Sequence, residues 1–174
     1  MMDFPILYAI QGLRTAFLDS FFVTLSKIAG DYGHIWVILG IILLFFKKTR
    51  KCGITMISSY LLVFVVGQFV LKDLIARPRP CQLDTKVPLL VKRPSSFSCP
   101  SAHAAWAFAA STSVFVYHKG WGALTGLVAL LIAFSRLYLF VHFPTDVLFG
   151  MALGILLAFI CFEVVEAIFK KKEL

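Results

Sequence analysis

Charged residues are scarce in this sequence, and long polar segments are few. Charged side chains make up 15% of the 174 residues and hydrophobic ones 60%, with a mean hydropathy of +0.88. Soluble domains usually contain about 45–50% apolar residues. The composition therefore argues against a soluble domain and predicts an integral membrane protein, in which residues 1–174 form a single membrane-embedded domain.

Several other patterns are missing from the chain. The four cysteines lack C-x-x-C spacing, which argues against a zinc ribbon or a dithiol redox motif. No internal repeat is present, and polar residues interrupt the early apolar core that a cleavable signal peptide needs. The formal charge of +8 comes from basic residues in short clusters rather than on one continuous face. Nucleic acid is therefore not expected as a partner.

The apolar runs predict an all-α fold, a polytopic membrane protein with six transmembrane helices in one bundle. A span needs about 20 mainly apolar residues. The sequence leaves open whether residues 4–14 lie at the membrane interface or begin the first span, and a turn is expected at 30–33. The predicted runs are 16–29, 35–46, 53–71, 102–117, 121–141 and 147–169.

The distribution of basic residues predicts an orientation in the membrane. The basic cluster at 47–51 is assigned to the cytoplasm by the positive-inside rule. Alternation of the spans then places Lys119 and the lysines at 170–172 on the same side, and the loop 77–100 with the region of His142 outside. We therefore expect a multi-pass protein of the cell membrane with its site on the extracytoplasmic face.

Three short polar segments interrupt the apolar chain, and all three fall at the same membrane face whichever way the bundle is oriented. Ionisable residues near membrane spans are costly and are functional candidates by default. The convergence of separate segments predicts a single site. The segments are Lys72 to Pro80 with Arg79, Pro100-Ser101-Ala102-His103, and Ser135-Arg136 followed by His142 and Asp146.

The cations of these segments favour a polyanion such as phosphate. Arg79 and Arg136 each offer a planar fork that matches phosphate oxygens, and Lys72 adds a point charge. Ser101 precedes a helix predicted to begin near Ala102, so backbone N–H groups there can also face an anion. Fixed donors of this kind stabilise the charge that develops in phosphoryl transfer.

Two histidines and a carboxylate can supply the chemistry. His142 is assigned as a nucleophile that forms a phosphohistidine, Asp146 as the carboxylate that orients it, and His103 as the general acid. The alternative is a metal site, because two histidines and one carboxylate are a known ligand set. Three nearby cations would repel a divalent ion, so no metal or other cofactor is expected.

The three segments together resemble the type 2 phosphatidic acid phosphatase superfamily of membrane lipid phosphatases. Its pattern is Lys, six residues, Arg-Pro; then Pro-Ser-Gly-His; then Ser-Arg, five residues, His, three residues, Asp. The chain matches it over about residues 53–165, with Ala102 in place of the glycine, a change that bears on substrate size or rate. The resemblance implies six helices, no metal and a phosphohistidine at His142. It also implies a phosphate site formed by Lys72, Arg79, Ser101, Ala102 and Arg136.

The resemblance implies an enzyme that removes the terminal phosphate of a membrane lipid phosphate or diphosphate. Small members of this family with an outward-facing site often act on undecaprenyl diphosphate, which is the favoured substrate here. Phosphatidic acid and phosphatidylglycerol phosphate remain alternatives, because the motifs do not separate these lipids. A non-hydrolytic phospholipid-binding or transport protein is an alternative of another class. The similar vanadate site of haloperoxidases occurs in soluble enzymes, which the apolar spans argue against.

Further predictions concern the loop 77–100 and the cysteines. Arg77 and Arg93 are expected to be solvated or lipid-facing. Cys81 and Cys99 lie where oxidation is possible, so they either form a disulfide or remain two free thiols. The two cysteines expected near the inner face, and expected to stay reduced, are Cys52 and Cys161.

Overall fold

The computed structural model describes residues 3–30 and 33–172, and within these ranges every regular element is helical. The all-α prediction is confirmed, while Asp31 and Tyr32 of the predicted turn at 30–33 lie outside the described residues. The helices are α1 (Asp3–Gln11), α2 (Ala16–Ala29), α3 (His34–Leu44), α4 (Arg50–Val63), a π-helical segment (Phe64–Leu71), α5 (Lys72–Ile75), α6 (Pro80–Leu83), α7 (Ala102–Tyr117), α8 (Lys119–Tyr138) and α9 (Pro144–Lys172).

Three helical stretches of the described chain are long and apolar enough to cross a membrane. They are Arg50–Leu83, Lys119–Tyr138 and Pro144–Lys171. Helices α1 and α2 reach this length only together, with a bend of 119° between them, and α3 is a shorter apolar helix. The structure thus gives three clear spans, or four with the bent pair, and the predicted count of six is not confirmed.

Helix α7 lies at the centre of the bundle and packs against α4, α8 and α9. Ten of its 16 residues are buried, and six of these are alanines. Helix α9 approaches it through Gly150 and Gly154, which lie four residues apart on one face. A Cβ atom would lie 2.5 Å from the carbonyl oxygen of Ser101 at Gly150, and 2.2 Å from that of Ala105 at Gly154. Small residues therefore bring the two backbones together.

The start of α7, the end of α8 and the start of α9 lie at one end of the bundle, here called the site end. Helices α1 and α2 also lie against it. Gln11 of α1 donates to the carbonyl oxygen of Tyr138 over 3.1 Å, and Asp19 of α2 accepts from the Tyr138 hydroxyl over 2.6 Å. At the other end of α2, the His103 ring interacts with the backbone of Gly30. Both helices therefore cover the site end.

All four cysteines are free and buried, so the structure has the free-thiol alternative for Cys81 and Cys99. Cys81 packs in an apolar cluster with Leu7 and Phe140. Cys99 lies near Asp146, and burial together with this carboxylate raises its pKa to about 11. The two thiols therefore lie in different surroundings.

We expect the α7–α9 contact to dominate the stability of the bundle. Gly154→Ala forces a methyl group against the backbone of Ala105, and overpacking of this kind costs about 1–3 kcal/mol. Gly120→Ala is the matched control, because a Cβ atom at Gly120 meets no atom within 4 Å. Thermal unfolding in detergent should show a clear fall in Tm for the first variant and little change for the second. Equal Tm values would contradict the close contact.

Candidate active site

The guanidinium group of Arg79 is buried and directed at His142. It donates to three backbone carbonyl oxygens. These belong to Ser96 over 2.7 Å, Val141 over 2.8 Å and Phe97 over 3.1 Å. Its Nη1 also lies 3.0 Å from Nε2 of His142. Because a guanidinium group can only donate, Nε2 must accept, and the ring proton lies on Nδ1. The lone pair of Nε2 therefore faces the cation.

A serine that the sequence analysis missed connects His142 with Asp146. Nδ1 of His142 and Oδ2 of Asp146 are 3.9 Å apart, which is too far for a hydrogen bond. The Ser98 hydroxyl lies 3.5 Å from Nδ1 and donates to Oδ2 over 2.5 Å, while the backbone N–H of Phe143 donates to the same oxygen over 2.9 Å. Asp146 therefore acts on the imidazole through its charge and through Ser98 rather than by direct contact.

The environment of His142 keeps its imidazole neutral. Burial lowers the pKa of His142 to about 3. The cations Arg79 and Arg136 act in the same direction, and Asp146 opposes them. A neutral ring with its proton on Nδ1 and a lone pair on Nε2 is the form that a nucleophilic imidazole requires.

Lys72 shares a hydrogen-bond acceptor with Arg79. It follows the π-helical segment directly, and such segments are frequent at functional sites. Its ammonium group donates to Oε1 of Gln68 over 2.8 Å and lies 3.4 Å from the Ser96 hydroxyl oxygen, which also accepts from Arg79 over 3.1 Å. A single hydroxyl oxygen therefore lies between two of the predicted phosphate-binding cations.

Ser101 and Ala102 begin α7 at the same place. The hydroxyl of Ser101 is fully buried and has no hydrogen-bond partner among the residues that the structure describes. A buried polar atom without a partner costs about 1–3 kcal/mol, so this hydroxyl is suited to a ligand oxygen. Ala102 is the first residue of the helix and is buried. Its methyl group lies at the position where the phosphatase pattern has glycine.

His103 and Arg136 complete the group of predicted residues. His103 lies within electrostatic range of Arg136, His142 and Arg79. Arg136 is buried, and its guanidinium donates to the hydroxyl of Ser135 over 2.8 and 3.0 Å. The structure thus brings His103, His142 and the three cations Lys72, Arg79 and Arg136 to the site end.

Arg77 is not solvated or lipid-facing, and that prediction is wrong. Its guanidinium donates to Oδ1 of Asp146 over 2.6 Å, to Thr145 over 2.6 Å and to Asp3 over 2.8 Å. The physical reason is that Asp146 is fully buried and a buried carboxylate needs a counter-charge. Arg93, by contrast, is exposed as predicted.

The residues missed by the sequence analysis had local signals. Ser96 and Ser98 belong to a serine-rich stretch directly before the second polar segment, and Gln68 lies one helical turn before Lys72. Arg77 lies inside the first polar segment itself. Position relative to the motifs could therefore have identified them as candidates, although not their partners.

Backbone strain also occurs beside the site. Among the described non-glycine residues, Ala76 and Phe140 have positive φ values of 47° and 58°. Ala76 immediately precedes Arg77, and Phe140 lies two residues before His142. Strained residues of this kind cost about 1–3 kcal/mol each and cluster at active sites.

The metal alternative requires several ligating side chains in one group. Within the ranges 3–30 and 33–172, no three His, Cys, Asp or Glu side chains form a group that could hold a metal ion. The arrangement is instead one of donors and cations around a neutral imidazole, which suits a phosphate group.

Comparison with known proteins gives the same class. The model of the PAP2 superfamily matches residues 50–170. An undecaprenyl-diphosphatase of Sulfolobus acidocaldarius is 33% identical over 152 residues, which cover 87% of this chain and 72% of the relative. The crystal structure of Aquifex aeolicus LpxE has a TM-score of 0.74 and 29% identity, covering 94% of this chain and 96% of that one. A phosphatidylglycerolphosphate phosphatase from Bacillus subtilis, described as a transmembrane PAP2 type, also has a TM-score of 0.74 and 29% identity, covering 96% and 84%.

The family match extends over well more than half of the sequence and includes all three polar segments. The fold and the family match together define a helical phosphatase. The chain belongs to the PAP2 superfamily, and it is therefore a hydrolase of the lipid phosphatase class.

We expect His142 to remain neutral far into the acid range. Since its pKa lies near 3, the imidazole should carry no second proton at any pH from 5 to 8. The ¹⁵N chemical shifts of labelled histidine in the purified protein measure this directly, and His142→Asn identifies the signal. A titration midpoint near 6.5, the ordinary value for histidine, would contradict the assignment.

Proposed function

We propose that the protein hydrolyses the terminal phosphate of a membrane lipid phosphate or diphosphate through a phosphohistidine at His142. The observation that carries this proposal is the state of the His142 ring. Its Nε2 lone pair is directed at Arg79, and its Nδ1 faces Ser98 and Asp146. A neutral nucleophile beside a phosphate-binding cation is the arrangement that attack on phosphorus requires.

Substrate binding would exchange one partner of Arg79. A phosphate oxygen is a stronger acceptor than an imidazole nitrogen, so the guanidinium turns to the phosphate and leaves Nε2 free. The buried hydroxyl of Ser101 donates to a second oxygen, and the N–H groups at the start of α7 face a third. In this proposal the full phosphate site consists of Lys72, Arg79, Ser101, Ala102 and Arg136.

The reaction then proceeds in two displacements. In the first, Nε2 of His142 attacks phosphorus, the bond to the leaving oxygen breaks, and His103 gives that oxygen a proton. In the second, His103 takes a proton from water, the water oxygen attacks phosphorus, and the P–N bond breaks to release phosphate. Asp146 and Ser98 stabilise the positive charge on the ring while the phosphate is attached.

Undecaprenyl diphosphate is the substrate we propose. The relative from Sulfolobus acidocaldarius is named as its phosphatase. A site at the end of apolar helices also suits a lipid whose tail lies in the membrane and whose phosphate lies in water. A relative from Bacillus subtilis named phosphatidylglycerophosphatase B is 38% identical over 138 residues and keeps glycerophospholipids as the second candidate.

We also propose how the chain lies in the membrane. The three long stretches together with α3 and α7 form five crossing segments, and the bent pair of α1 and α2 forms the sixth segment, which re-enters at the site end. The basic residues at 47–51 support placing the opposite end in the cytoplasm and the site on the extracytoplasmic face. In this arrangement residues 1–174 form one domain.

Phosphate release by the purified protein in detergent tests the function. The wild type should release phosphate from undecaprenyl diphosphate faster than from phosphatidylglycerol phosphate or phosphatidic acid. His142→Ala should lose at least about 10³-fold in kcat, because it removes the nucleophile itself. His118→Ala, at the opposite end of α7, is the control and should retain activity. No phosphate release from any lipid would favour a non-hydrolytic binding protein.

The two histidines should differ in their dependence on the leaving group. His103→Ala should impair hydrolysis of a monophosphate lipid more than that of a diphosphate, whose leaving group is more acidic and needs less help from a proton donor. Equal losses on both substrates would remove the support for His103 as the acid. Trapping of a phosphoenzyme in His142→Ala would contradict the choice of nucleophile.

Activity should not depend on a divalent metal ion. The charge that a metal would supply is already present on Lys72, Arg79 and Arg136. We expect the rate of phosphate release to be unchanged after treatment with a chelator. Complete loss of activity, restored by one particular ion, would overturn the proposed chemistry.

A further inference from the structure

Arg77 makes contacts with both residues that face Nδ1 of His142. Its guanidinium donates to Oδ1 of Asp146 over 2.6 Å, and its carbonyl oxygen accepts from the backbone N–H of Ser98 over 2.8 Å. The ring of Phe143 lies 4.1 Å from the guanidinium carbon, so the side chain is held from a second direction. One residue therefore fixes both the carboxylate and the serine that bridges it to the imidazole.

The two oxygens of Asp146 have separate donors. Oδ2 accepts from the Ser98 hydroxyl and the Phe143 N–H, whereas Oδ1 accepts from the guanidinium group of Arg77. Asp146 is fully buried, so loss of Arg77 would deprive a buried anionic oxygen of its charged donor. The carboxylate would then turn to find another partner, and Oδ2 would leave its place beside Ser98.

Helix α1 supplies the other partner of the same guanidinium. Nη2 of Arg77 donates to Oδ2 of Asp3 over 2.8 Å, and the hydroxyl of Thr145 donates to the same Asp3 oxygen over 3.1 Å. The Arg77 side chain is 29% exposed and that of Asp3 is 16% exposed. Ion pairs this close to solvent contribute little to stability, so the role of Asp3 is to set the position of the guanidinium.

We propose that Arg77 is a positioning residue that holds Asp146 and Ser98 against His142, and that Asp3 of α1 holds Arg77 in place. The inference rests on the proposed phosphatase reaction. It makes α1 part of the catalytic arrangement although no residue of α1 belongs to the three polar segments. It also explains why a cation lies beside the carboxylate that must stabilise a charged imidazole: the cation is shared between two carboxylates, so Asp146 is not fully neutralised.

The test compares the purified protein with the variants Arg77→Met, Arg77→Lys and Asp3→Asn. Arg93→Met is the matched control, since Arg93 lies in the same loop and is exposed. Arg77→Met should lower kcat by about 10- to 100-fold while KM changes by less than about 3-fold, because misplacing a catalytic group affects the chemical step. Arg77→Lys should recover part of this loss, and Arg93→Met should match the wild type.

A double-mutant comparison tests the coupling between Asp3 of α1 and Arg77. Asp3→Asn should lower kcat by about 3-fold in the wild type and have no further effect in the Arg77→Met background, because both changes act on the same contact. Additive effects would overturn the role of Asp3. A fall in the Tm of Arg77→Met with an unchanged kcat would show that Arg77 serves stability alone. This result too would overturn the proposal.

The histidine spectrum separates this inference from the function on which it rests. In the substrate-free protein, the Nδ1 signal of His142 should shift in Arg77→Met and in Asp3→Asn but not in Arg93→Met. If the wild type hydrolyses no lipid phosphate, the proposed function fails while this spectral coupling can still be present. If the wild type is active and neither the spectrum nor kcat responds to Arg77→Met, the proposal fails by itself. If Arg77→Met does not fold, the kcat values and histidine spectra of Arg77→Lys and Asp3→Asn test the proposal instead.

Discussion

The close approach of α7 and α9 is the contact on which the rest of the structure depends. The absence of side chains at Gly150 and Gly154 lets the helices meet at backbone distance, and the N–H of Ser101 donates to the carbonyl oxygen of Asp146 over 3.1 Å. The first residues of both helices are thereby held beside each other. Because His103 belongs to one helix and Asp146 to the other, this apolar packing sets the geometry of the polar site.

The site itself is organised by pairing of buried charges. Asp146 pairs with Arg77. Arg79 donates hydrogen bonds to backbone carbonyl oxygens, and Lys72 donates to Gln68 and Ser96. Buried ions are tolerated only where such partners exist. Neutral groups supply most of these partners, so the cations retain their net charge, as the proposed phosphate site requires. The neutral state of His142 follows from the same balance of burial and nearby cations.

The sequence pointed to residues that the structure brings together at the site end, but it did not predict their contacts. Motif spacing selected Lys72, Arg79, His103, Arg136, His142 and Asp146 as candidates, and continuous apolar runs predicted most of the helices that carry them. The pairing of Arg77 could not be predicted, because it depends on Asp3 and Asp146, which lie 74 and 69 residues away in the chain. The indirect link between His142 and Asp146 was missed for a related reason, since Ser98 is 44 residues from His142.

The apolar runs predicted the long helices better than the weakly apolar one. The apolar runs at 53–71 and 147–169 correspond to long helices, because continuous hydrophobicity over that length has few alternatives. The run at 16–29 contains Asp19, whose partner is the hydroxyl of Tyr138 in α8. Such a contact between distant segments fixes where a weakly apolar helix lies, and periodicity contains no information about it.

The position of Ser96 has a consequence for turnover. Its hydroxyl oxygen accepts from Lys72 and Arg79 together, so the two cations share an acceptor within the protein. In the proposed reaction, the phosphate product would compete with this internal group for the same donors. Such competition weakens the retention of the product, and a site with several cations can then release an anion that it would otherwise bind too tightly.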